Sequence, residues 1–530
     1  MRRLVPFIVI LLVTSSALAA PGDISRKLQL PINNPTGVAW DGKYLWIADR
    51  KTDLFYKLDP ENGEIAGTIE SPGYFPSGLA WDGDLLWSTD PADGRIYATD
   101  VKKSMTVRTL EAPGPSPTGI AWDGAYLWIC DNRLDKILKI DSGDGTTIIS
   151  FPSPAVDPRG ITFDGTYLWC SDRIRDCIYM IDPKIGHVVM ILDAPGPFTW
   201  GLAWNGDHLI NTDYQHDTVY TIVVKDGEFY RTSKKRRALV DFTTAGVVTG
   251  TGQASTLDIY YAIPSGRPSQ KLISDVRFTP EPTDRKKDQW DQSIAVFHYE
   301  DLEPADKFEV SMQVEIESFA IRYFIYPDEV GTEIPKKIKQ LYLADGSKYD
   351  INNSYIQKLV TQVVGEETNL YWKARKLFQY LIANMEYKLA GGWNTAPTVL
   401  KRGNGSCSEY SFSYIALCRA AGVPARYVGS LVVRGDDASY DDVFHRWCEI
   451  YLPNYGWVPV DANAGDKKLP ADQGSAFGGI SNRFLITTES GGDSSYLGWG
   501  YNYDTKWTTT GKCRIMIEST AEWEPLDDDS

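Results

Sequence analysis

Gly37-Val38-Ala39-Trp40-Asp41-Gly42-Lys43-Tyr44-Leu45-Trp46-Ile47-Ala48-Asp49 decides the fold of the N-terminal region, because the chain repeats it. Trp40-Asp41-Gly42 returns as Trp81-Asp82-Gly83, Trp122-Asp123-Gly124, Phe163-Asp164-Gly165 and Trp204-Asn205-Gly206, 41 residues apart each time. Gly37, Gly78, Gly119, Gly160 and Gly201 keep the same step, as do Asp49, Asp90, Asp131, Asp172 and Asp213. Within the first unit, residues 37–40, 44–48, 55–58 and 65–70 read as strands, with Asp41-Gly42 a two-residue hairpin turn. Four antiparallel strands in about 40 residues make one blade of a β-propeller. Five blades are expected over residues 24–230. Residues 27–31 read as a fourth-type strand with no blade of its own, expected to pair into the last blade and close the ring.

These repeats resemble the NHL and YncE-like propellers of exported bacterial and archaeal proteins, a likeness specific for fold and poor in function. The repeated aspartates read as turn-stabilising acceptors rather than metal ligands. The column Trp46, Trp87, Trp128 and Trp169 reads as packing between blades. Residues just after the repeated Asp vary instead: Arg50, Pro91, Asn132, Arg173 and Tyr214. A face varied in that way suits a protein or polysaccharide partner.

The 530 residues are 43% hydrophobic and 12% aromatic, enough for several packed cores and too apolar for disorder. A formal charge of −16 argues against nucleic acid, which wants a basic stripe. Residues 1–19 read as a signal peptide: Met1-Arg2-Arg3 is basic, Leu4 to Val13 apolar, and Ala17-Leu18-Ala19 a cleavage signal. No later run has 18 uninterrupted apolar residues, so no stable membrane anchor is expected and the location is secreted or periplasmic. Seven Cys is an odd number and too few for a disulfide scaffold.

After Lys225 the period stops. Lys234-Lys235-Arg236-Arg237 reads as a solvated linker. Residues 236–325 alternate with period two, as in Phe308-Glu309-Val310-Ser311-Met312-Gln313-Val314, and read as a β-sandwich. From Asn353 the period becomes helical: Ile356, Leu359, Val360, Val363 and Val364 share one face, and Trp372, Leu377, Phe378, Leu381, Ile382 and Met385 another.

Chemistry concentrates beyond residue 400. Gly403-Asn404-Gly405-Ser406-Cys407 leads into an apolar helical run that Gly422-Val423-Pro424 ends, so Cys407 falls at a helix N-terminus. Unpaired N–H groups and the macrodipole favour a thiolate there. The base follows by elimination: His187, His208 and His216 lie in the repeats and His298 in the sandwich, which leaves His445. A hairpin centred near Pro453 sets His445 opposite Asp461, on one face, where a carboxylate holds the imidazole. A zinc set of Cys407, Cys418, Cys448 and His445 lacks the CxxC spacing of structural sites. No metal or cofactor is expected. Cys418 and Cys448 read as core or a disulfide, and Cys170 and Cys177 as flanking a tight hairpin that a bridge would close.

Four ordered motifs complete the reading: Gly405-Ser406-Cys407-Ser408-Glu409-Tyr410, then Arg-Ala-Ala-Gly-Val-Pro-Ala-Arg (419–426), then His445-Arg446-Trp447-Cys448-Glu449, then Gly456-Trp457-Val458-Pro459-Val460-Asp461. Together they resemble the transglutaminase-like domain, over about residues 350–490 of the C-terminal region 326–520. The resemblance implies a papain-like α+β fold with Cys407 as nucleophile, His445 as general base and acid, and Asp461 as orienting residue. Its substrate would be a protein or peptide amide, cleaved or transferred through an acyl-enzyme. Arg446 and Cys448 depart from the small and aliphatic residues usual in that strand and are expected to carry no chemistry. The first oxyanion donor expected is the Cys407 N–H, with the Trp393 indole a second candidate. A competing reading is a non-enzymatic extracellular binding protein, which the loss of Cys407 or His445 would have favoured.

Overall fold

The computed structural model describes residues 20–389 and 392–527, so the expected leader at 1–19 lies outside the described residues. The chain is mostly β. Residues 24–222 form five four-stranded antiparallel sheets, consistent with propeller-like blades. The first sheet is Pro35–Trp40, Leu45–Asp49, Leu54–Leu58 and Ile65–Glu70. In the last, Thr199–Trp204, Leu209–Asp213 and Thr218–Ile222 are completed by Ile24–Gln29, with Lys27 opposite Tyr220. The completing strand thus starts three residues before the expected one.

The glycine column has a steric cause. A Cβ on Gly37 would meet Leu79 N at 2.6 Å, and one on Gly78 would meet Gly119 Cα at 2.8 Å. Gly119 faces Arg159 O at 2.6 Å, Gly160 faces Trp200 O at 2.2 Å, and Gly201 returns to Thr36 O at 2.4 Å. The innermost strands therefore meet in cyclic order, backbone against backbone. The turn after each of them is four residues, not two, since Trp40 pairs with Leu45. Asp41 builds it: Oδ1 accepts the N–H of Lys43 and Tyr44, and Oδ2 accepts Trp46 Nε1 at 2.9 Å. Asp82, Asp123 and Asp164 repeat this with Trp87, Trp128 and Trp169. Asp49, Asp90, Asp131, Asp172 and Asp213 each cap the next turn through Oδ1.

The basic run is not a linker. It lies inside the long strand Tyr230–Gly250, which runs antiparallel to Lys307–Tyr323 and slips register between Ser233 and Arg236. Alternation beyond the run buries Ala238, Val240 and Phe242, and that apolar face extends the strand back through the charges. A second sheet contains Gln253–Ala262 and Ser293–Leu302. Phe242 meets Tyr261 across the two layers with ring centroids 4.8 Å apart. Two late strands join these sheets: Cys513–Pro525 pairs with Tyr230–Gly250, and Tyr503–Thr510 with Gln253–Ala262. The end of the expected region 326–520 thus pairs with the middle of the chain.

Between them, helices Ser354–Val364, Leu370–Asn384 and Cys407–Ala420 pack on an antiparallel sheet ordered Gly456–Val460, His445–Leu452, Ala425–Val432, Phe484–Ser490. Leu377, Phe378, Ile415, Ile450 and Val458 share its core.

Candidate active site

Cys407 is the first residue of the Cys407–Ala420 helix, where an N–H has no intrahelical acceptor. The helix start is anchored by Glu409, which is wholly buried. Its Oε2 accepts Ser406 N–H at 3.2 Å and Arg402 Nη2 at 2.8 Å. Its Oε1 accepts Asn394 Nδ2 at 2.9 Å and Asn394 N–H at 3.2 Å. One carboxylate therefore ties the turn that carries Cys407 to the loop that carries Trp393. The sequence contains Glu409 in its first motif, but only the fold reveals this anchoring.

His445 opens the strand His445–Leu452, and its Nε2 donates to Asp461 Oδ2 at 2.7 Å. The hairpin is centred on Asn454, one residue beyond Pro453, which shifts the register by two: Cys448 pairs with Val460 and Leu452 with Gly456. A three-residue turn, with Asn454 at φ 78°, replaces a turn centred on Pro453. Asp461 therefore sits beyond the paired strand and reaches His445 diagonally. A shift of two keeps every side chain on its face, so the contact survives the corrected register. Asp461 Oδ1 accepts Ala464 N–H at 3.0 Å, and Phe484 stacks on the imidazole at 5.7 Å.

His445 also faces Cys407, and each favours the charged form of the other, so the three residues are linked electrostatically. Burial disfavours the thiolate, yet the His445 hydrogen bond and charge, the Arg446 N–H and the Arg446 guanidinium together bring Cys407 below its usual value of 9.0. Burial opposes charge on His445 as well. Asp461 and the thiolate outweigh it and push the imidazole up to about 10. The arrangement favours a thiolate–imidazolium pair.

Arg446 is fully buried. Its guanidinium lies among Trp393, Phe412, Tyr427 and Tyr501, 4.3–4.9 Å from each ring centroid. Nη2 donates to Trp499 O at 2.6 Å, while Nε and Nη1 find no acceptor. Sequence offered one signal, a long cation in a strand position where the resemblance predicts a small residue.

The remaining cysteines are free thiols. Cys418 and Cys448 are core, and Cys448 Sγ donates to Ser411 O at 3.5 Å. Cys170 lies opposite Tyr179 and Cys177 opposite Asp172, so this hairpin register does not face the two thiols directly. Cys170 meets Cys130 of the neighbouring sheet instead, sulfur to sulfur at 3.7 Å.

Cys407 opens into a cavity of about 360 Å³ walled by Leu389, Trp393, Phe444, Tyr501 and Tyr503. A larger cleft, about 830 Å³, touches the three residues only at Asp461.

Residues 357–462 match the model of the transglutaminase-like superfamily, so the chain carries a transglutaminase-like domain that encloses all three residues. An uncharacterized protein of Haemophilus influenzae is 29% identical over 131 residues, 20% of this chain and 35% of that protein. The chain thus spans about a third of that curated relative. Among solved structures, a provisionally assigned cysteine protease from Cytophaga hutchinsonii is 16% identical, covering 57% of this chain and 94% of its own, with a TM-score of 0.41. Myxococcus xanthus glutaminyl cyclase is 14% identical, covering 39% and 97%, with a TM-score of 0.36. Virginiamycin B lyase from Staphylococcus aureus is 18% identical, covering 38% and 70%, with a TM-score of 0.26.

Proposed function

We propose that this protein is an exported thiol enzyme that cleaves amide bonds of a protein or peptide through an acyl-enzyme. The supporting observation is Cys407 at a helix start, its thiolate favoured by His445, which Asp461 holds at 2.7 Å. Cys407 thiolate attacks the amide carbon and forms a C–S bond. The oxyanion meets the Cys407 N–H. His445 gives its proton to the leaving nitrogen as the C–N bond breaks. Water then attacks the thioester, losing a proton to His445, and releases the acid with the thiolate restored. An amine in place of water gives acyl transfer by the same groups. Residues 24–222 serve as a five-bladed propeller that binds substrate or partner, and residues 1–19 direct export.

Cys407→Ala and His445→Ala should each remove nearly all turnover, because nucleophile and base act as a unit. Asp461→Ala should cost less, since the attacking group survives. Mass analysis of products from a peptide library, with and without added amine, reads cleavage and transfer separately. Full turnover by Cys407→Ala would reject the reading.

A further inference from the structure

Four of the five positions that vary after the repeated Asp lie near one another. Arg50, Asn132, Arg173 and Tyr214 each follow the second strand of their sheet, at one end of the ring of innermost strands. The centre of that end is covered by Trp200, 3% exposed, whose Nε1 donates across to Ser77 Oγ at 3.4 Å from a non-adjacent sheet. Arg159 lies over the Trp200 ring at 4.5 Å and Arg173 at 5.7 Å, and Tyr214 packs on Trp200 at 5.3 Å. These residues make a cluster with an aromatic floor.

Its ion pairing is uneven. Asp157, nearly buried, pairs with Arg159 at 2.7 Å and Arg173 at 2.8 Å, and also accepts Asn132 Nδ2 at 3.0 Å. Arg50 stacks 3.4 Å over Phe75 and has no carboxylate partner among the described residues. Two guanidinium groups thus share one carboxylate, a third beside them has none, and Arg159 Nε has no acceptor. Burial, and then the like charges of Arg173 and Arg50, outweigh Asp157 and hold Arg159 below its ordinary value. Like charges drawn together at a partly dry site are costly until an anion joins them.

We propose that this cluster binds a carboxylate-bearing ligand, gripped by Arg50, Arg159 and Arg173. Asp157 already demonstrates the fit: a planar carboxylate seated between two guanidinium forks. The proposal rests on the repeat sheets being a binding module and is independent of the thiol chemistry. Two sources share this chemistry, an acidic side chain of a peptide and a small free acid.

The test uses the full chain carrying Cys407→Ala, so that binding is read without turnover. A fluorescein-labelled, end-capped triglutamate peptide is titrated by anisotropy, against the triglutamine peptide, with glutarate and inorganic phosphate as competitors. Triglutamate should bind and triglutamine should not. Arg50→Gln and Arg173→Gln should each weaken binding by about tenfold or more. Arg50 makes no ion pair that the fold needs, so its variant reports even where Arg173→Gln fails to fold. Displacement by glutarate at matched carboxylate concentration identifies a small acid; resistance to it identifies the peptide. Equal binding of both peptides, unchanged affinity in Arg50→Gln, or phosphate displacing the peptide better than glutarate does would each overturn the proposal. Binding without amide turnover in the wild-type chain would reject the enzyme reading alone.

Discussion

At Cys407 the decisive quantity is which groups face the sulfur. Burial alone would keep it a thiol, and the pair His445 and Arg446 reverses that. Activity should therefore rise with pH as the thiolate forms, below the ordinary thiol range, and fall again near pH 10 as His445 loses its proton. The stability linkage has the matching sign. His445 has a folded pKa above its ordinary 6.5, so its contribution is complete below about 6.5 and lost as pH rises through about 10. Arg446→Met removes a buried cation while keeping much of the volume. Its acid limb should move to higher pH, and Arg446→Lys should restore part of the shift. The pH dependence of iodoacetamide alkylation at Cys407 measures this directly, and identical profiles for all three proteins would refute it.

Elements hold these residues by contacts that a single atom can break. Glu409 joins the helix start to the Trp393 loop through four hydrogen bonds. Glu409→Ala should lower stability by about 2–3 kcal/mol and reduce kcat more than KM, because Cys407 loses its fixed position. Thermal melts and steady-state kinetics on one preparation separate the two effects. In the repeats, the comparable constraint is the glycine column. Gly160→Ala would place a Cβ 2.2 Å from Trp200 O, a backbone atom that cannot swing aside. A loss of about 1–3 kcal/mol is expected, with Gly165→Ala a poor control because its φ of 102° adds strain of its own. Gly67→Ala, with nothing within 4 Å, is the suitable one.

Across the whole molecule, the last strands matter more than their position suggests. Cys513–Pro525 pairs with thirteen residues of Tyr230–Gly250, from Ala238 to Gly250. Trp523 and Ala521 are buried in the sandwich core. Truncation after Asn502 should leave two long edges unpaired and expose that core, giving aggregated protein on size-exclusion chromatography. A soluble, monomeric truncated chain would disprove this dependence. The C-terminal region that carries the transglutaminase-like domain is likewise joined to the repeats: Arg175 pairs with Asp472, and Arg375 donates to Val188 O at 3.1 Å.

What was legible in the sequence was whatever depends on near neighbours. The 41-residue step, the strand alternation and the helix carrying Cys407 are local patterns, and motif order identified the transglutaminase-like domain. The His445–Asp461 contact was legible because a hairpin makes sequence distance a guide to spatial distance, and a one-residue error in its centre, a register shift of two, leaves the face unchanged. Tertiary structure alone decided what local pattern cannot encode. Arg446 reads as an ordinary strand residue until Phe412, Tyr427, Trp393 and Tyr501 arrive from four other segments to enclose it. The basic run 234–237 reads as a linker until Lys307–Tyr323 pairs beside it. Arg50 and Arg173 read only as varied positions on one face until the sheets close in a circle, bring Arg159 beside them and set Arg159 and Arg173 over one tryptophan. Each of these depends on pairings more than 12 residues apart in sequence, and the free energy of such contacts is set by packing and desolvation that no local period records.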